Sequence, residues 1–228
     1  VFANVGYFDP RFYDIPCLST GLEVRDLGSF RNDADVERSH KTQQAISIDT
    51  LRSRDDIPQL LTALGLTHWG AEIGVHCGEY SDILLARSRL EWLFSVDSRS
   101  CVEYSDTHYD NYLKAFSRLW KYGLRSVHLK MLSVEATLLF QDGALDFAYI
   151  DAAHDYESVR ADIAAWWPKI GPGGILAGHD YCVALPGVIR AVDEFAAAEK
   201  LKLHLTALDT NYTGDPAQPL HTWLFRRS

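Results

Sequence analysis

Residues 145–181 read LDFAYIDAAHDYESVRADIAAWWPKIGPGGILAGHDY. An apolar run ends at Asp151, with His154 three residues further on. A segment of helical spacing, YESVRADIAAWWPKI, follows and is stopped by GPGG. A second apolar run, GILAGHDY, then ends in His179 and Asp180. Strand, helix and strand in this order predict two parallel strands joined by a crossover helix. The two tips allow a bland reading, a pair of buried salt-bridging carboxylates. They also allow a sharper one, a metal and a general base at the open end of a parallel sheet.

The alternation continues outward on both sides. GAEIGVHCG is a strand running into a glycine turn, with EYSDILLARS as the next helix, and LEWLFSVDS is a strand ending at Asp97. VEYSDTHYDNYLKAFSRLWKYG is an amphipathic helix closed by Gly123, SVHLKMLS a strand, and VEATLLFQDG the helix after it. Beyond Asp180 come the helix GVIRAVDEFAAAEKL and two strands, LKLHLTALD and HTWLFRRS, separated only by a turn-rich loop. Upstream, IDTLRSRDDIPQLLTALGL has helical spacing, with Pro58 placed to start a second helix. The fold class expected is α/β, a mostly parallel sheet with helices on both faces and an antiparallel hairpin at its edge. Two regions are expected: an irregular arm or lid over residues 1–45, and the domain proper over 46–228. The arm carries Tyr7, Phe8, Phe12 and Tyr13, aromatic rings that would pack on the body of the domain, on a partner, or on a second copy of the chain.

The chain has 228 residues, 47% of them hydrophobic, which suits one sizeable core. A net charge of −9 argues against a nucleic-acid surface, which needs a basic stripe to neutralise phosphates. No apolar stretch is long enough for a membrane span. The four cysteines, Cys17, Cys77, Cys101 and Cys182, are scattered without zinc-type spacing and read as reduced, structural thiols. The first residue is Val, which reads as a processed or truncated chain whose missing segment could have carried a targeting signal; a soluble, cytoplasmic protein is the default expectation.

In an open doubly wound sheet, ligands bind beyond the carboxyl ends of the strands. The first such end is E-I-G-V-H-C-G, in which Gly74 and Gly78 bracket a turn that lets the backbone approach a ligand. The spacing is GxxxG and the leading residue is Glu72, so a pyrophosphate is disfavoured and a cationic amine favoured. His76 lies inside the turn, either touching the ligand or facing solvent. Asp97 follows the turn by about 20 residues, where a carboxylate can accept ribose hydroxyls. Trp166 and Trp167 read as core packing with one exposed ring, and Arg226 and Arg227 as a solvated strand terminus.

With these residues in view, EIGVHCGEYS, the VD at the second strand end, the stretch from Asp146 to Tyr181 and the closing TWLFRR resemble class I S-adenosylmethionine-dependent methyltransferases. The nearest branch is that of metal-dependent small-molecule and sugar O-methyltransferases. The resemblance implies a Rossmann-like seven-stranded sheet with an antiparallel last strand. It also implies S-adenosylmethionine as cofactor, with Glu72, Gly74 and Gly78 at its methionine end, Asp97 at its ribose and Ser133 at its adenine. Leu132 stands where an Asp commonly precedes that Ser. The resemblance further implies a divalent metal, Mg²⁺ or Mn²⁺, held by Asp151 and Asp180, with His154 as base and a hydroxylated small molecule or glycan as acceptor. His179 departs from the pattern, standing where a second acid is usual. Either the metal keeps extra water, or it is a softer ion, or His179 contacts substrate. Competing expectations are metal-independent methyl transfer to nitrogen or a carboxylate, a methyltransferase-like fold kept as a binding subunit, and a dinucleotide oxidoreductase, against which the GxxxG spacing speaks.

Overall fold

The computed structural model describes residues 46–98, 105–209 and 219–228. The arm expected over residues 1–45 and residues 210–218 of the loop before the last strand lie outside the described residues. Seven strands form one sheet: β1 (Trp69–Ile73), β2 (Trp92–Val96), β3 (Ser126–Leu129), β4 (Leu145–Ile150), β5 (Ile170–Tyr181), β6 (His204–Leu205) and β7 (His221–Arg226). Their order is β3-β2-β1-β4-β5-β7-β6. The first five are parallel, and β7 enters antiparallel between β5 and β6. The expected edge hairpin is therefore present. Its second strand reaches inward to pair with β5, and the short β6 forms the margin.

Helices α1 (Ile57–Ala63), α2 (Glu79–Arg87), α3 (Ser105–Leu119), α4 (Ser133–Ala136), α5 (Tyr156–Trp166) and α6 (Pro186–Glu199) connect the strands. Along β4 the side chains alternate between two cores. Ala148 and Ile150 join Val159, Ile163, Trp166, Val188 and Val192 of α5 and α6, whereas Phe147 and Tyr149 join Leu60, Leu61, Leu84 and Leu85 of α1 and α2. Both faces are covered, and so the strands read as continuous apolar runs.

Three local expectations change. Residues 47–56 form two short 3₁₀ turns instead of a helix, Ile48–Thr50 and Arg54–Asp56. The carbonyls of Leu51 and Arg52 accept from the N–H groups of Ala207 and Leu208, and Asp56 binds the Arg52 N–H, so no α-helical ladder can form there. The helix after β3 is one α-turn followed by a 3₁₀ turn, leaving Leu138 and Leu139 exposed. GPGG does not stop short of β5 but lies within it, where the β4–β5 register shifts between Leu145 and Phe147. A Cβ at Gly171 would sit 2.8 Å from the Gly143 carbonyl oxygen, so only glycine fits that entry.

Candidate active site

The carboxyl ends of β1, β2, β4 and β5 converge on one region. Gly74 has φ +87°, and a Cβ there would lie 2.0 Å from the Asp151 carbonyl oxygen; no other residue fits. This close approach binds the strand ends together: Gly74 N–H donates to Val96 at 2.9 Å and Asp151 N–H to Ile73 at 2.7 Å. The turn continues through His76 at φ +49° to Gly78 at φ +77°, which caps α2. The N–H groups of Val75 and His76 both donate to Asp97 Oδ2, at 3.0 and 3.1 Å. Asp97 is thereby fixed at the mouth of the turn. His76, Cys77 and Glu79 bring three potential metal donors together in this same turn, but Cys77 Sγ is bonded to Asn111 and Glu79 is paired with Arg118.

Glu72 points to the α2 face, level with Ser95 on β2, and is 2% exposed. Ser81 of α2 donates to its carboxylate and also bonds Ser95 at 3.0 Å, forming a polar island inside an apolar layer. Burial pushes the Glu72 carboxyl up to about 8; the Ser81 hydrogen bond and Arg54 oppose the rise, and Asp151 and Asp97 add to it. Glu72 thus carries a proton at neutral pH, which its placement among cofactor residues in the sequence does not reveal.

At the tip of β5, Asp180 has φ +62°, and the β5–β7 register slips between Gly178 and Tyr181. Neighbouring side chains on a regular strand face opposite ways; this irregularity lets His179 and Asp180 both reach the site. Gly178 makes room for Trp223, whose ring would lie 2.3 Å from an added Cβ and whose Nε1 donates to the His179 carbonyl at 3.1 Å. His154 Nε2 meets Asp180 Oδ2 at 2.8 Å. His179 Nδ1 lies 3.3 Å from Asp180 Oδ1 and 3.9 Å from Asp151 Oδ1. Burial works against the Asp180 charge, but hydrogen bonds from His154 and His179 hold it well below the usual carboxylate range. Burial pushes the Asp151 carboxyl up; His179 and Arg54 pull it back, and Asp180 adds to the rise. Through its hydrogen bond to Asp180, His154 is raised above its ordinary value.

Arg54 is the residue that sequence reading misses. It sits in a polar stretch, yet its guanidinium bonds Asp151 Oδ2 at 3.0 Å and lies 4.9 Å from the centre of the Tyr80 ring. Its backbone N–H donates to Asp209, and its carbonyl accepts from the Tyr80 hydroxyl at 3.1 Å. Burial works against its charge, but Tyr149 and Asp151 keep it firmly protonated.

Other expected residues fall as follows. The Ser133 hydroxyl donates to Asp162 and accepts from Trp166 Nε1 at 3.0 Å, so it is committed to α5. Trp166 is fully buried, and Trp167 is half-buried between Phe195 and Arg227. Arg226 is exposed as expected, but Arg227 is not merely solvated: its guanidinium donates to the carbonyls of Trp167, Pro168 and Ile170. Cys77 and Cys182 are both buried. Among the described residues no helix is long and apolar enough to cross a membrane.

Ligand atoms of Asp151, His154 and Asp180 all lie within 4.8 Å of one another, a donor set that fits a divalent cation. The Gly74 turn beside Asp97 forms a backbone cradle that fits a nucleoside cofactor.

A family model described as a methyltransferase domain matches residues 71–181, the interval from β1 to the end of β5. The O-methyltransferase from Bacillus cereus, solved with SAH, is 15% identical, with a TM-score of 0.57 over 85% of this chain and 90% of its own. An rRNA methylase from Streptococcus thermophilus is 12% identical, with a TM-score of 0.51 over 71% of this chain and 87% of its own. Both share the fold of this chain. The uncharacterized protein y4gI of Sinorhizobium fredii (strain NBRC 101917 / NGR234) is 27% identical over 124 residues; these are 54% of this chain and 13% of that protein's length. The strand order of this chain and the family match show a methyltransferase domain over residues 71–181, in the fold shared by these solved methyltransferases.

Proposed function

We propose that the protein transfers a methyl group from S-adenosylmethionine to a hydroxyl of a small molecule or glycan, with a divalent cation held by Asp151 and Asp180. The observation that carries this reading is the His154–Asp180 contact beside Asp151, directly past the Gly74 turn. When bound, the cofactor supplies a methyl group already activated on a sulfonium, and the cation polarises the acceptor hydroxyl.

The chain's own residues supply alignment and proton transfer. In this reading Asp97, fixed by two backbone N–H groups, takes the ribose hydroxyls, and Glu72 takes the methionine amine. With the Ser133 hydroxyl committed to α5, an adenine contact from this position falls to the backbone. Asp180 accepts from His154 Nε2, which leaves Nδ1 of the half-exposed ring to take the acceptor proton. The same carboxylate stabilises the imidazolium that results. The acidic net charge of −9 favours a small or sugar acceptor over a nucleic acid.

Calorimetric titration with S-adenosylmethionine, with and without EDTA, tests this reading. Binding in both, with turnover abolished by EDTA and by Asp180→Asn, is the expected result. No binding at millimolar cofactor refutes the reading, and turnover that survives both treatments refutes the cation.

A further inference from the structure

We infer that His179, in place of His154, is the third donor of the cation site beside Asp151 and Asp180 and tunes it toward a first-row transition ion such as Mn²⁺ or Fe²⁺ instead of Mg²⁺. This rests on the proposal that Asp151 and Asp180 hold a cation. The two carboxylates divide their oxygens in the same way. Asp151 gives Oδ2 to Arg54 and turns Oδ1 toward His179 Nδ1; Asp180 gives Oδ2 to His154 and likewise turns Oδ1 toward His179 Nδ1. Donors bound about 2.1 Å from one ion lie roughly 3 Å apart at right angles and roughly 4.2 Å apart when opposed. The 3.3 and 3.9 Å separations from His179 Nδ1 fall inside that range.

Burial excludes a substrate contact. His179 is 7% exposed, beneath the carboxylates, and lines a cavity with Asp151, His154 and Asp180. Its Nε2 is buried with no hydrogen-bond partner among the described residues, and Nδ1 is the nitrogen that faces both carboxylates. An ion held between them takes the place of the Nδ1 proton, which is released on binding.

The charge balance points the same way. Arg54 already offsets Asp151, so a hard ion bound by charge through oxygen gains less than it would beside three acids. An imidazole nitrogen adds a bond that Mn²⁺ and Fe²⁺ accept more readily than Mg²⁺ does.

The test uses the full chain. Mn²⁺ binding is followed by EPR with Mg²⁺ as competitor, and pulsed EPR reads nitrogen coupling to the bound ion. Mn²⁺ should bind about tenfold or more tighter than Mg²⁺. The ¹⁴N coupling should persist in His154→Gln and vanish in His179→Asp, which should also narrow the preference. His179→Asn carries the same comparison should His179→Asp fail to fold. Equal affinity for the two ions, or coupling that survives loss of His179, overturns the inference and leaves the proposed methyl transfer standing. Binding of neither ion overturns this inference and the cation of the proposed function together, while cofactor titration still reports on methyl transfer separately.

Discussion

Replacing Glu72 by Gln removes one ionisable group and almost no volume. The Gln carbonyl can still accept from Ser81. Glu72 is pushed up to about 8 from 4.5, chiefly by burial. Below pH 4.5 the side chain is protonated in both the folded and unfolded chains, and it costs nothing. Between those two values the unfolded chain ionises while the folded one keeps its proton, so stability falls as pH rises, by about 1.4 kcal/mol per pH unit. Above pH 8 both states ionise and the loss levels off. The variant should therefore exceed the parent by less than about 1 kcal/mol at pH 5, by about 3 at pH 7 and by about 5 at pH 9. Urea unfolding followed by tryptophan fluorescence at these three pH values measures the gap, and groups common to both proteins cancel from it. A gap that stays flat from pH 5 to pH 9, or a Gln variant less stable than the parent at pH 7, would refute the reasoning. Cofactor affinity should move the opposite way, because an arriving ammonium favours the ionised carboxylate that Gln cannot supply.

Gly74→Ala should lose at least about 3 kcal/mol or fail to fold, since its Cβ meets the Asp151 carbonyl; thermal melting compares it with Gly65→Ala, where the space is open and strain alone costs about 1 kcal/mol. Arg54→Met should cost about 2–3 kcal/mol in urea unfolding at pH 7 by leaving Asp151 without its cation; a change under about 0.5 kcal/mol would make the pair incidental. His154→Ala should lower turnover about 10²-fold or more while leaving calorimetric cofactor affinity nearly intact; a large loss of affinity would make His154 structural.

Much of the frame was legible because a doubly wound sheet writes itself locally. Each parallel strand is an apolar run, and each crossover helix has its own periodicity and stop. The aspartates at the strand tips could be placed in one pocket from topology alone. The segment before α1 was not legible, since its backbone bonds go to Ala207 and Leu208, more than 150 residues away in sequence. The bonds of the Ser133 hydroxyl were not legible for a related reason. Its partners, Asp162 and Trp166, lie on α5, a helix that the local pattern places correctly but does not orient.

Arg54 shows the limit most sharply. RSRDDIP reads as a polar surface turn, and nothing in it signals a half-buried cation. Arg54 is held half-buried beside the tilted rings of Tyr80 and Tyr149, whose centres lie 4.4 Å apart, and its backbone is anchored by Asp209. These four residues come from the second 3₁₀ turn, α2, β4 and the segment after β6, so their meeting is a property of the tertiary fold and not of the local sequence. The consequence reaches the reaction centre. Because Arg54 takes one oxygen of Asp151 and His154 one of Asp180, the remaining oxygens are directed at His179. The residue that looked least consistent with the pattern of acids is thus the one toward which both acids turn.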